Sequence, residues 1–400
     1  MGRPTLEVAQ VLHRHGQSYR ADHGVALSCA QERVLRAIET CRTAALGGHR
    51  EQCSACDHQR ISYNSCRNRH CPKCQSLARA EWIEHRQAEL LNCAYFHVVF
   101  TLPEEVAALA LQNKALIYNT LFQATAETLR TIGADPKHLG AQIGFFAILH
   151  TWGQNLQHHP HLHCVVPGGG LSPDRRRWIH CRPRFFLPVR VLSRFYRRRF
   201  LELLDDAFQT GKLRLLHGLA YLQSREAFNR YLVPVRRKEW VVYAKPPFAG
   251  PQQVLDYLGR YTHRVAISNN RLLAMDDDHV QFRWKDYADG NQPKIMTIRV
   301  HEFIRRFLLH TLPLGLQRIR YYGLFGNRRR TENLARCRQL LHMQVPETGN
   351  SERAPPRDYR SRYEALTGRS LHQCPACLQG CMRIVEQIPR PQHRAELDTS

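Results

Sequence analysis

The stretch His159-Pro160-His161-Leu162-His163-Cys164-Val165-Val166 decides how the rest of the chain is read. It sets two histidines two residues apart in a run of strand-forming residues. In a β-strand, positions i and i+2 face the same side, so His161 and His163 project together while Leu162 enters the core. Two adjacent imidazoles form a two-point cradle for a divalent ion. Upstream, His150 closes the apolar run Ile143–Leu149. A hairpin between the two runs would bring His150 alongside as a third ligand. A lone histidine on a strand is usually just a satisfied polar residue. The pair, the upstream partner and the glycine exit Gly168–Gly170 together point to metal.

Around this cradle, from Cys93 to about Val345, short apolar runs alternate with helical stretches, which is the pattern of an α+β domain. Strands are expected at Tyr95–Leu102, Gln142–His150, His161–Val166 and Trp240–Ala244, with a meander from Arg264 to Arg299. Helices are expected at Glu104–Thr131, Val189–Phe208, Pro251–Tyr261, Val300–Thr311 and Thr331–Leu341. Residues 1–92 read as an N-terminal helical and zinc-binding domain. There Ser28 and Gln31 form a capping box before Val34, Leu35 and Ile38, and a polar helix starts near Leu77. Residues 93–345 form the larger domain. Residues 346–400, opening with Pro346, Pro355 and Pro356, read as a linker and a small cysteine-bearing tail.

The charge narrows the function. The 58 Lys and Arg against 34 Asp and Glu leave +24 with histidines neutral. Such an excess disfavours a compact state unless something anionic neutralises it. The charge is clustered at Arg175–Arg177, Arg197–Arg199, Arg236–Lys238 and Arg328–Arg330, with Trp178, Phe195, Tyr196, Phe200, Trp240, Tyr321 and Tyr322 nearby. Arginine contacts phosphate while aromatics stack on bases, so nucleic acid is the expected partner. No apolar run reaches the ~18 residues of a membrane span, and the start MGRPTLEVAQ lacks the apolar core of a signal peptide. A cytoplasmic, nucleoid-associated protein is the expectation, with no membrane partner.

Fourteen cysteines without a secretory signal favour metal ligation over disulfides. Cys53, Cys56, Cys71 and Cys74 form C-x2-C-x14-C-x2-C, the spacing of a four-thiolate structural zinc site. Arg67, Arg69 and Lys73 lie within it and would face a phosphate backbone. Cys41, His49, Cys66 and His70 surround these knuckles as a candidate second zinc set. Cys374, Cys377 and Cys381, with His372 beside them, form half of a further site whose partners the sequence leaves unassigned.

The third motif is Tyr257-Leu258-Gly259-Arg260-Tyr261. A spacing of four on a helix puts both phenols on one face. That arrangement is more often packing than chemistry, but Arg260, His263 and Arg264 stand beside it. A phenolate attacks phosphorus if a cation lowers its effective pKa and a metal polarises the phosphate.

Three strings now carry a resemblance: Asn64–Cys74 (NSCRNRHCPKC), His150–Gln154 leading to His159–His163, and Tyr257–Ile267. In this order they resemble the two-tyrosine rolling-circle transposases of the insertion-sequence-91 type, members of the HUH nuclease superfamily named for His-hydrophobic-His, here His161-Leu162-His163. The resemblance covers roughly residues 25–345. It implies an HUH-type central antiparallel sheet with flanking helices, preceded by a small helical and zinc-binding domain. It also implies a catalytic Mg2+ or Mn2+ held by His161, His163 and a third ligand, His150 or its rival Gln154. Tyr257 and Tyr261 are implied as nucleophiles, Arg260 and Arg264 as contacts to DNA, and single-stranded DNA of element ends and target as substrate. An HUH replication initiator or relaxase, or a non-enzymatic zinc-dependent DNA-binding protein, are the alternative readings. A carboxylate-triad transposase is disfavoured, because the dense acidic run Asp276–Asp278 reads as a hairpin tip. A phosphate-binding ATPase is disfavoured too, since no G-x4-G-K-[ST] string occurs.

Overall fold

The computed structural model describes residues 4–245, 253, 259, 266–286, 289–343, 359–368 and 370–391. Elements are numbered in chain order. The first helices and strands are α1 (Val8–His23), α2 (Cys29–Glu39), β1 (Gly48–Cys53), β2 (Gln59–Tyr63), α3 (Gln75–Gln87) and β3 (Tyr95–Thr101). Then come α4 (Glu104–Gln112), α5 (Lys114–Ala134), β4 (Gly144–Trp152), β5 (His158–Pro167), β6 (Gly169–Leu171) and β7 (Trp178–His180). They are followed by α6 (Val189–Gln209), α7 (Arg225–Arg237), β8 (Val242–Lys245), β9 (Leu272–Met275), β10 (His279–Asp286) and β11 (Gln292–Arg299). The last are α8 (Val300–Leu309), β12 (Ile319–Gly323), α9 (Arg330–Leu340), α10 (Tyr359–Thr367) and β13 (Met382–Ile388). The fold is α+β with antiparallel sheets, as the sequence implied. No helix among the described residues is long and apolar enough to cross a membrane.

Contacts group the chain into two units. One comprises residues 82–262 and 312–347, the other residues 1–81, 263–311 and 348–400. This differs from the linear division at 92 and 345, because β13 and the meander β9–β11 pair and pack with the N-terminal segment's unit rather than following chain order.

The first of these units is built on a five-stranded antiparallel sheet in the order β12-β4-β5-β3-β8. Strand alternation explains its two faces. Phe96, Val98, Phe100, Phe145, Ala147, Leu149, Leu162, Cys164 and Val166 point one way into a core closed by α4, α5, α6 and α7, with Leu109, Phe122, Tyr196, Phe200 and Phe228 as typical helix contributions. On the opposite face, Tyr95, Phe146, Ile148 and Val165 pack with Leu334 and Cys337 of α9. That apolar cover ends where the histidines begin. The expected helix Glu104–Thr131 is two helices, because Asn113 breaks it: its side-chain amide donates to the Leu109 and Arg214 carbonyls, and its Oδ1 accepts from the Arg214 amide.

In the other unit, α1, α2 and α8 bury Val11, Leu12, Leu35, Ile38, Phe303 and Phe307. The capping box at Ser28 and Gln31 is present. The strands β9, β10 and β11 form the expected meander, and Asp276–Asp278 is an exposed tip, with Asp276 accepting from the amides of Asp278 and His279. A second three-stranded sheet has the order β13-β1-β2, so the tail strand flanks β1.

Candidate functional site

The histidine cradle forms where β4 and β5 run side by side. Register puts His150 directly opposite His161, and His163 follows two positions along β5. A register shift between His150 and Trp152 interrupts the pairing, which resumes with Trp152 opposite His158, a common device for re-aiming a side chain beside a functional site. One ligand nitrogen from each of His150, His161 and His163 lies within 4.8 Å of the others. The His150 and His163 ring centroids are 4.2 Å apart, and those of His161 and His163 4.8 Å. Trp152 stacks on His150 at 4.7 Å.

The rings are oriented from behind. Nδ1 of His161 lies 2.6 Å from the His159 carbonyl oxygen, which can only accept, so the proton sits on Nδ1 and the Nε2 lone pair is left for a metal. Nδ1 of His163 lies 2.6 Å from Nε2 of His97 on β3, and the two rings are parallel to within 2°. With His163 donating, its Nε2 could also serve as a ligand. The sequence reading missed His97, although strand alternation was the available signal, since the β3–β5 register sets His97 diagonally across from His163 on the same face. Gln154 lies in the turn between β4 and β5.

Burial keeps these imidazoles neutral. It lowers His161 to about 4, with His159 adding, and His97 to about 3, with Lys245 adding. His163 falls well below its ordinary value through burial and the neighbouring His150, His161 and His97. Burial, with Lys114, also lowers His158 to about 4, and Tyr118 Oη lies 2.9 Å from its Nε2. Each folded-state value lies below the ordinary 6.5, so the unfolded chain takes up protons first as pH drops. This contribution to stability is complete above pH ~6.5 and declines toward pH ~4 by about 1.4 kcal/mol per pH unit for each histidine. The melting temperature without added divalent ion is expected to fall across that window. A flat profile by calorimetry would show that the histidines are solvated.

The cysteines group differently from the expected Cys53-Cys56-Cys71-Cys74 set. Sulfurs of Cys41, Cys66, Cys71 and Cys74 form one group, and those of Cys53, Cys56, Cys374 and Cys377 another. The reason is the hairpin β1–β2. Cys53 and Cys56 sit at its turn, whereas Cys41 and Cys66 flank its open end. At about 3.4 Å per residue, strands of six and five residues hold those ends roughly 17 Å apart, too far for one ion. In the first group Cys41–Cys74, Cys66–Cys74 and Cys41–Cys71 sulfurs are 3.5, 3.6 and 3.7 Å apart. Tetrahedral zinc with ~2.3 Å bonds needs about 3.8 Å, so these residues fit the metal.

His49 and His70 do not join either group. His49 Nε2 lies 3.6 Å from the buried Glu51 carboxylate, and Nδ1 of His70 lies 3.0 Å from Oδ1 of Asn68. Cys381 and His372 contribute backbone groups: the Cys381 carbonyl accepts from Ser54, and the His372 carbonyl accepts from Met382. Among the expected DNA contacts, Arg67 is exposed, Arg69 is partly buried, with burial lowering its guanidinium, and Lys73 is paired with Glu7. Tyr257, Tyr261, Arg260 and Arg264 lie outside the described residues. Of the expected helix Pro251–Tyr261, Gln253 and Gly259 are described, and both are helical.

Residues 144–333, which include the cradle, match a family described as "Putative transposase". Residues 11–102 match the "Transposase zinc-binding domain". The "Putative transposase y4qJ" of Sinorhizobium fredii (strain NBRC 101917 / NGR234) is 66% identical over 386 residues, covering 96% of either chain. The chain belongs to the insertion-sequence-91 type of transposases. The "Transposase for insertion sequence element IS801" of Pseudomonas savastanoi pv. phaseolicola is 27% identical over 76% of this transposase and 73% of its own length. No solved structure matches. The zinc-binding family of this transposase spans the whole Cys41-Cys66-Cys71-Cys74 group, and its transposase family spans all three cradle histidines.

Proposed function

We propose that the chain nicks and rejoins single-stranded DNA at element ends through a 5′-phosphotyrosine intermediate, in rolling-circle transposition. The observation that carries the reading is the convergence of His150, His161 and His163 within a chain of this family. Three convergent imidazoles can hold a divalent ion; Mn2+ or Mg2+, the ions the resemblance implies, would complete an oxygen-rich shell there with phosphate and water. When bound, that ion would polarise the scissile phosphate and stabilise charge developing on the leaving oxygen. The protein's own part is to position and to attack. His97 and the His159 carbonyl hold the ligand rings, while exposed arginines such as Arg67 neutralise the backbone. The phenolate of Tyr257 or Tyr261 forms the new O–P bond as the P–O3′ bond breaks, and the freed 3′ oxygen takes a proton. The phosphodiester energy is retained in the tyrosine link, so a 3′-hydroxyl can reverse the step and join strands without hydrolysis. A second tyrosine permits a second transfer before the first end is released. Cytoplasmic work at the nucleoid follows from such a substrate.

The test is incubation of labelled single-stranded element ends with Mg2+ or Mn2+, followed by denaturing electrophoresis. A covalent protein–DNA adduct is expected. Tyr257→Phe and Tyr261→Phe should each retain a reduced adduct but lose complete transposition. The double variant should form none. Phenylalanine removes only a hydroxyl, so stability should move by about 1 kcal/mol. An adduct surviving the double change would place the nucleophile elsewhere.

A further inference from the structure

Cys53 and Cys56 fall within the matched zinc-binding family, but their structural partners, Cys374 and Cys377, lie beyond both matched regions. The sulfurs of Cys53 and Cys377 are 3.7 Å apart, and those of Cys56 and Cys374 3.8 Å. These are the edge lengths of a tetrahedron about an ion with ~2.3 Å bonds to sulfur. Backbone amides are aimed at the same sulfurs, as thiolate ligands require: Ala55 donates to Cys53 Sγ at 3.3 Å, and Gly380 to Cys377 Sγ at 3.3 Å. A Cβ at Gly380 would strike Cys53 Sγ and lie 2.8 Å from Ala55 Cβ, so glycine permits the two knuckles to close on each other. None of the four sulfurs is in a disulfide.

The surrounding structure is built for the same closure. β13 pairs with β1 over Gly48–Cys53, directly beside the knuckles. Glu51, 1% exposed, is held by Arg60 of β2 and by Arg360 of α10, whose guanidinium also donates to the Met382 carbonyl at 3.0 Å. Ser54 and Cys381 exchange bonds across the two knuckles, at 3.0 Å from the Ser54 amide and 2.9 Å to its hydroxyl.

We infer that Cys53, Cys56, Cys374 and Cys377 bind a second structural zinc ion, completing a zinc ribbon whose two knuckles come from opposite ends of the chain. The four thiolates close the coordination shell, so this ion has no open position for substrate. The first ion, at Cys41, Cys66, Cys71 and Cys74, is independent of it. The inference does not depend on the nuclease chemistry.

Native mass spectrometry of the full chain is expected to show one zinc ion fewer in the Cys374→Ser/Cys377→Ser variant than in wild type, whatever the histidine cradle holds. Equal zinc content in the two proteins would overturn the inference. A second measurement needs no variant. In zinc-loaded protein, Cys374 and Cys377 should resist alkylation while the exposed Cys29 and Cys381 react, and a chelator should abolish the protection. Cys374 and Cys377 alkylated as fast as Cys381 before chelation would also overturn it.

Discussion

Replacing His161 or His163 with alanine is expected to lower strand cleavage by roughly a thousandfold or more, on the order of 4 kcal/mol of barrier. Single-strand affinity should stay within a few-fold of wild type. On the proposed mechanism the two functions rest on different residues: affinity would come from basic side chains, whereas these imidazoles would orient an ion. Both rings stand on the sheet face not covered by the four helices, so alanine removes no part of the main core. His97→Phe should give a milder loss, because it leaves all three ligands in place and removes only the partner of His163 Nδ1. Higher Mn2+ should partly restore that variant and leave His163→Ala unrescued. Parallel loss of binding and circular dichroism signal in the alanine variants would instead make the histidines core residues.

The second large effect is expected from Cys71→Ser. Cys71 is buried at 1% exposure, so water has little access to take the place of its sulfur. Structural zinc sites contribute about 10–16 kcal/mol of apparent binding energy in small zinc-finger peptides, comparable with the whole stability of a domain. The variant should lose one zinc ion and most hydrogen-exchange protection around residues 41–74. Protection around β4 and β5 should be retained, since those strands belong to the other unit. Unchanged zinc content would show that Cys71 is not a ligand.

The cradle was legible because strand alternation is local. His161 and His163 had to share a face, and the run ending at His150 had strand length, so one hairpin placed all three. The strands Tyr95–Thr101 and Val242–Lys245 and the acidic hairpin tip could be read for the same reason. His97 was hidden inside an apolar run, where alternation gives its face but not the strand neighbour that makes it matter. The cysteine partners were hidden more deeply. A C-x2-C knuckle states that two sulfurs share an edge of a tetrahedron, but not which other knuckle supplies the opposite edge. Proximity in sequence favoured Cys71 and Cys74, and the length of β1 and β2 made that pairing geometrically unreachable. The break at Asn113 was missed because helical periodicity continues through it. Two of the three bonds that the Asn113 side chain makes at the break go to the Arg214 backbone, far along the chain.

The pairing of β1 with β13 imposes an order on biosynthesis. Arg50 meets Glu386, 336 positions later, so at about 5–20 residues per second β1 waits roughly 20–70 s for its partner. Meanwhile the ribosome completes the five-stranded sheet, whose last strand is Ile319–Gly323. β1 is therefore made before that sheet and finished after it. Until then β1 has β2 on one side and an open edge on the other, a template for pairing with foreign strands. A message cut short before residue 382 would yield a protein with an intact five-stranded sheet and a permanently open edge at β1, which is the kind of product that chaperones and proteases remove.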